Sequence, residues 1–139
     1  MSASLVFQIV NTIVLPAWLI LIFFPGSSWR KPVIYAFSMA MAAIYVVYVS
    51  LGFEDMDMQS FNTLAGVKSM FSSNVAVLTG WVHYLVFDLL IGSWIVDQSR
   101  QHGIPHLYIV PCLFLCFLFG PAGFLLFKII QLMRMRKLG

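Results

Sequence analysis

Asp88 lies within Gly80-Trp81-Val82-His83-Tyr84-Leu85-Val86-Phe87-Asp88-Leu89-Leu90-Ile91-Gly92, a run whose other members are mostly apolar. A charge in the middle of hydrocarbon costs about 2.5–3.5 kcal/mol on insertion scales, so such residues usually face a bundle interior and mark function. No Lys or Arg stands at that depth in another apolar stretch, which leaves Asp88 a neutral acid able to donate a proton. At about 100° per residue, Gly80, Tyr84, Asp88 and Gly92 form one stripe with Trp81 beside it, and the glycines allow close approach of a neighbouring helix. His83 falls about 140° round the helix from Asp88, so the two need a substrate, a water or another helix between them. These residues suit acid–base chemistry; the competing account is structural burial, with Asp88 hydrogen-bonded to Asn11 or a tyrosine.

The elements that must position this stripe are membrane helices. Of 139 residues, 61% are hydrophobic and 9% charged, and the mean hydropathy is +0.94. A soluble domain so composed has too little polar surface to cover itself. Four apolar stretches, Leu5–Phe24, Val33–Leu51, Val75–Val96 and Leu107–Met133, are each long enough to cross about 30 Å of hydrocarbon. The expected fold is an all-α membrane protein: a single four-transmembrane-helix domain over residues 1–139, with a short interfacial amphipathic helix between helices two and three. An even number of helices puts both termini on one side. That side holds Lys68, Arg134, Arg136 and Lys137, against Arg30, Lys31 and Arg100 on the other, which points to cytoplasmic termini. The first stretch is long and has no basic residue before it, so it is expected to be retained as a helix, not cleaved as a signal.

On the first helix Gln8, Asn11, Leu15 and Trp18 share a face, and Pro16 is expected to bend it. On the second, Tyr35, Ser38, Ala42 and Tyr45 make a similar stripe, so both helices offer polar groups to one shared interior or use them as interhelical glue. Glu54, Asp55 and Asp57 lack the spacing of a calcium loop and read as a solvated entry to the interfacial helix. His102 and His106 are separated by Gly103 and Pro105, which break the helix that would align them, and no metal site is expected. With three histidines in all, neither a di-iron centre nor a bis-histidine haem can be assembled within the membrane, and no cofactor is expected. Cys112 and Cys116, one turn apart, read as packing residues. Pro111 and Gly120-Pro121-Ala122-Gly123 should kink or open the fourth helix, a break that suits either a site wall or packing. The net charge of +3 sits at helix ends without an aromatic-interleaved patch, so the expected partners are lipid headgroups and no nucleic acid.

The run from Trp81 to Trp94, then Gly103-Ile104-Pro105-His106-Leu107, Pro111-Cys112-Leu113 and Phe119-Gly120-Pro121-Ala122-Gly123, with Pro16 and Trp18 on the first helix, resembles the abscisic-acid-deficient-four-like family. That is the family of plastid neoxanthin synthase and its shorter bacterial relatives, and this chain looks like the short form. One departure is Ser93, where the family pattern commonly has an arginine. The resemblance implies a carotenoid isomerase of the neoxanthin synthase type, which turns an epoxy-carotenoid into an allene without redox change, in a bacterial inner membrane. Such a reaction needs an acid near the epoxide oxygen, a base for a polyene proton, and an apolar slot. Asp88 is the acid or orienting group under this reading and His83 the base or relay, while Trp81, Tyr84, Asn11, Trp18 and Tyr45 contact the substrate. A non-catalytic carotenoid- or lipid-binding accessory subunit, as a homo-oligomer or within a larger membrane complex, is the alternative. A closed pocket converging on Asp88 and His83 would favour the enzyme, and an aromatic groove facing lipid would favour the binder. A proton-linked transporter, marked by a continuous wet path, is the third reading.

Overall fold

A computed structural model of the chain describes residues 1–52 and 57–138, the side chains of 137 and 138 excepted. Among the described residues the fold is all-helical. The sequence-based reading of Glu54 and Asp55 lies outside them; Asp57 caps a short 3-10 turn, Met58–Asn62, by accepting from the Gln59 amide at 2.9 Å.

Helix α1 (Ala3–Phe23) starts at Ser2, whose hydroxyl caps the Leu5 amide, and stops before Pro25-Gly26. Helix α2 (Arg30–Gly52) and, after the short α3 (Leu64–Met70), helix α4 (Asn74–Gln101) complete three helices long and apolar enough to cross a membrane. The chain is a membrane protein. Helix α3 occupies the place of the expected interfacial helix, but it has only seven residues, and Leu64 on it is almost fully exposed. Helix α4 packs against α1, α2 and the C-terminal helices alike. With 28 residues it is roughly 42 Å long, and Asp88 lies near its middle.

The fourth apolar stretch is not one helix. It divides into α5 (His106–Phe119) and α6 (Pro121–Leu138), as the glycine–proline break suggested, and α6 then folds back along α5. Four contacts establish the reversal: Gly123 lies against the backbone of Cys112 and Cys116, Lys128 lies over the Trp94 ring, Gln131 Nε2 lies 3.4 Å from His102 Nδ1, and the Arg134 guanidinium lies over Tyr108 at 5.4 Å. A Cβ at 123 would overlap Cys112 and Cys116, so glycine is what lets the two helices close on each other.

The expectation that both termini share one side is therefore corrected. The N-terminal half of α1 lies beside the start of α4, where Asn11 and Phe7 meet Trp81. The C-terminal part of α6 lies beside the end of α4 and the start of α5. What redirects the chain there is local: α4 ends in a Schellman motif, with Ile104 N–H donating to Ser99 O at 2.8 Å and Gly103 N–H to Arg100 O at 3.3 Å. Gly103 supplies the left-handed conformation at φ 63°, and Pro105 prevents α4 from continuing.

The candidate site at Asp88

The stripe on α4 is held by three other elements. One turn beyond Asp88, Gly92 admits the Trp18 ring of α1, whose nearest atoms lie 2.8 Å from where a Cβ would stand. Trp18 in turn meets Phe117 of α5 edge-on at 5.5 Å. One turn before Asp88, the Tyr84 hydroxyl donates to Leu118 O at 3.4 Å, satisfying one of the carbonyls left open where α5 ends. Tyr84 stacks on Trp81 at 6.1 Å and 23°, and Trp81 Nε1 donates to Asn11 Oδ1 at 2.8 Å. Asn11, Trp18, Trp81, Tyr84 and Asp88 therefore occupy one side of the bundle, between α1, α4 and the α5–α6 hairpin.

Asp88 is 8% exposed. The turn of the hairpin rests on it: a Cβ on Gly120 would overlap the carboxyl group. Its backbone carbonyl accepts from the Cys116 thiol at 3.4 Å, a packing role for that cysteine in keeping with the sequence-based reading. Oδ2, by contrast, is buried with no hydrogen-bond partner among the described residues. A buried carboxyl oxygen left without a partner costs roughly 1–3 kcal/mol. No cation reaches Asp88 among the described residues; the ion pairs found there are those of Asp97.

His83 is elsewhere. It is exposed on another face of α4, beside Tyr45 of α2 at 5.6 Å and Phe87 at 4.8 Å between ring centroids. The polar stripes of α1 and α2 thus do not share one interior, because α4 meets α1 through Trp81 and α2 through the side of His83. Tyr35 of the second stripe is exposed and Ser38 is buried. His106, at the start of α5, is bonded through Nε2 to Ile22 O at 2.7 Å, while His102 Nδ1 lies 2.8 Å from Gln98 O, each histidine closing off a carbonyl near a helix end.

Two features escaped the sequence reading. One is an apolar groove of ≈ 280 Å³ between α1 and α5, lined by Leu15, Trp18, Leu19, Ile22, Phe114 and Phe117 among others. Its only signal in the sequence was the face shared by Leu15 and Trp18. The other is Arg30, which begins α2 beside the exposed Trp29 but is itself 3% exposed. Its guanidinium donates to Asp97, to Pro25 O at 3.1 Å and to Ser93 Oγ at 3.4 Å. At Ser93, α2 thus brings a guanidinium to α4 from outside that helix. Asp97 lies just past the apolar run and Arg30 just before the second one, so their opposite charges at one end of the bundle were a signal available in the sequence.

A family model described as ABA DEFICIENT 4-like matches residues 5–127. The chain belongs to this family. Asp88, Gly92, Gly120 and Gly123 all fall inside the region that matches the ABA DEFICIENT 4-like model. The chain is also similar to Protein ABA DEFICIENT 4, chloroplastic, of Arabidopsis thaliana, at 26% identity over 130 residues. That match covers 87% of this chain and 58% of the plant protein, so the chain spans under two thirds of that relative's length. No solved structure matches this ABA DEFICIENT 4-like chain.

Proposed function

We propose that this protein converts a carotenoid or related isoprenoid by cofactor-independent acid–base chemistry at Asp88. The observation that carries the reading is the buried Asp88 carboxyl beneath Gly120, whose Oδ2 has no hydrogen-bond partner among the described residues. The family supports a carotenoid-type substrate and the groove supports an elongated apolar one. Along α1 the groove runs from Ile22 to Leu15, and Asn11 continues the same face one turn further. A polyene in the groove would bring a polar end group toward Asn11, Trp81 and Tyr84. For an epoxide, the Asp88 proton goes to the oxygen as the bond from that oxygen to the ring carbon joining the polyene breaks. The neighbouring polyene carbon then loses its proton, and that C–H electron pair forms the cumulated double bond. The carboxylate created in the first step takes up the second proton, so the acid is restored and no redox partner enters. This scheme gives His83 no part.

By the criterion stated from the sequence, the groove favours a second reading, a non-catalytic isoprenoid-binding subunit, because it is aromatic, has exposed Leu15, Leu19 and Phe114 on its lining, and includes neither Asp88 nor His83. Chromatography of pigments from membranes that contain the substrate separates the two. Conversion by the native chain and its loss in Asp88→Asn support catalysis. Conversion unchanged in Asp88→Asn would remove Asp88 from the mechanism, and pigment recovered with the purified protein but unaltered in the membrane would favour the binder.

The same reading takes three helices as full spans and α5–α6 as a re-entrant hairpin that turns at the level of Asp88. Arg30, Lys31, Arg100, Arg134, Arg136 and Lys137 then lie at one end and Lys68 at the other. This bias puts the hairpin's open end and the C-terminus on the cytoplasmic side or its equivalent.

A further inference from the structure

A polar concavity of ≈ 300 Å³ opens at the end of the bundle where α4 finishes, between the turn at 25–28, Arg30, Lys31, Asp97 and Arg100. Three cationic side chains meet one carboxylate there, and the carboxylate is already engaged. One Asp97 oxygen pairs with Arg30, and the other lies 2.9 Å from Lys31 Nζ. Arg30 is the floor of the concavity, tied to Pro25, Ser93 and Asp97 and closed to solvent. Lys31, half exposed, has two ammonium protons left for a ligand. The Arg100 guanidinium makes no hydrogen bond or ion pair among the described residues, and its Nη1 lies over Gly26, 2.8 Å from where a Cβ would stand. Glycine at 26 is what lets the guanidinium lie against the turn. The exposed Ser28 hydroxyl is on the same rim.

We infer that this concavity binds a phosphate ester. A guanidinium, an ammonium and serine hydroxyls offer convergent donors to a tetrahedral oxyanion with several acceptors. The excess positive charge left after Asp97 is paired favours an anion. The site lies at the end of two spanning helices, at headgroup level, where basic clusters attract anionic lipid. A phospholipid headgroup and a soluble phosphate share this chemistry.

Native mass spectrometry of the detergent-solubilised full chain tests it, with phosphatidylglycerol, phosphatidylcholine and inorganic phosphate as probes and Arg136→Gln, outside the concavity, as control. Phosphatidylglycerol retained over phosphatidylcholine, and held about tenfold more weakly in the Lys31→Gln/Arg100→Gln double variant but not in the control, supports the site with a lipid occupant. Inorganic phosphate raising the melting temperature of the native chain but not of the double variant supports a soluble occupant. Ser28→Glu leaves the Asp97 pairs intact and adds a negative charge at the rim, so it should lose the anion even if the double variant folds poorly. Equal retention of both lipids, or equal loss in Arg136→Gln, together with no phosphate effect, would overturn the inference.

Discussion

Gly120 lies directly against the carboxyl group of Asp88, thirty-two residues apart in sequence, with no space between them for a methyl group. The contact fixes the tip of the α5–α6 hairpin to the middle of α4, so a change at either residue is felt at the other. Gly120→Ala should destabilise the protein by about 1–3 kcal/mol through overpacking. In Gly120→Ala/Asp88→Ala the loss should be smaller than the sum of the single losses, with a coupling of about 0.5–3 kcal/mol. Reversible unfolding in detergent measures it, and strict additivity would show that the contact is absent in solution.

His83→Ala should leave pigment conversion within about twofold of the native chain, because His83 faces Tyr45 and Phe87, away from Asp88. Asp88→Asn in the same assay should lose about 100-fold or more, the usual worth of a positioned acid. A loss in His83→Ala as large as that in Asp88→Asn would put the histidine back in the reaction.

Arg30→Met strips the buried guanidinium from Asp97, Ser93 and Pro25 while Lys31 stays on Asp97. Breaking a fully buried pair costs about 3–5 kcal/mol. With Asp97 partly solvated, roughly 2–3 kcal/mol is expected, read as a lower unfolding midpoint. Arg30→Met/Asp97→Leu should recover part of it.

Single cysteines introduced at Ser4 and Met135, both exposed, should react with an impermeant maleimide from opposite faces of sealed vesicles. Cys112 and Cys116 are buried and should stay unlabelled. Labelling of both introduced cysteines from one face would rule out the re-entrant arrangement.

Three long apolar helices, the break at Gly120-Pro121 and the stripe through Asp88 were legible in the sequence, because hydropathy, helical spacing and glycine–proline breaks are local properties. The direction taken after Gly120 was not. A kinked helix that continues and a helix that folds back present the same apolar run, and only the close approach of Gly123 to Cys112 and Cys116 distinguishes them. The angle of about 140° between His83 and Asp88 was legible from helical spacing, but the neighbours of His83, Tyr45 and Phe87, depend on which side of α4 meets α2. The burial of Arg30 is not a local property, because its partners Ser93 and Asp97 lie across the bundle on α4.

Because the hairpin turns at the level of Asp88, the half of the bundle beyond its tip has no fourth spanning helix among the described residues. There Phe7 and Trp81, both more than a third exposed, border on what the bilayer itself must fill. In the re-entrant arrangement proposed above, acyl chains would take that place, and the side of Asp88 nearest Tyr84 would then have lipid as its neighbouring medium. A greasy molecule dissolved in the membrane would arrive there sideways, by diffusion in the plane of the bilayer. Occupancy would then follow its concentration per unit of membrane area, whatever its solubility in water.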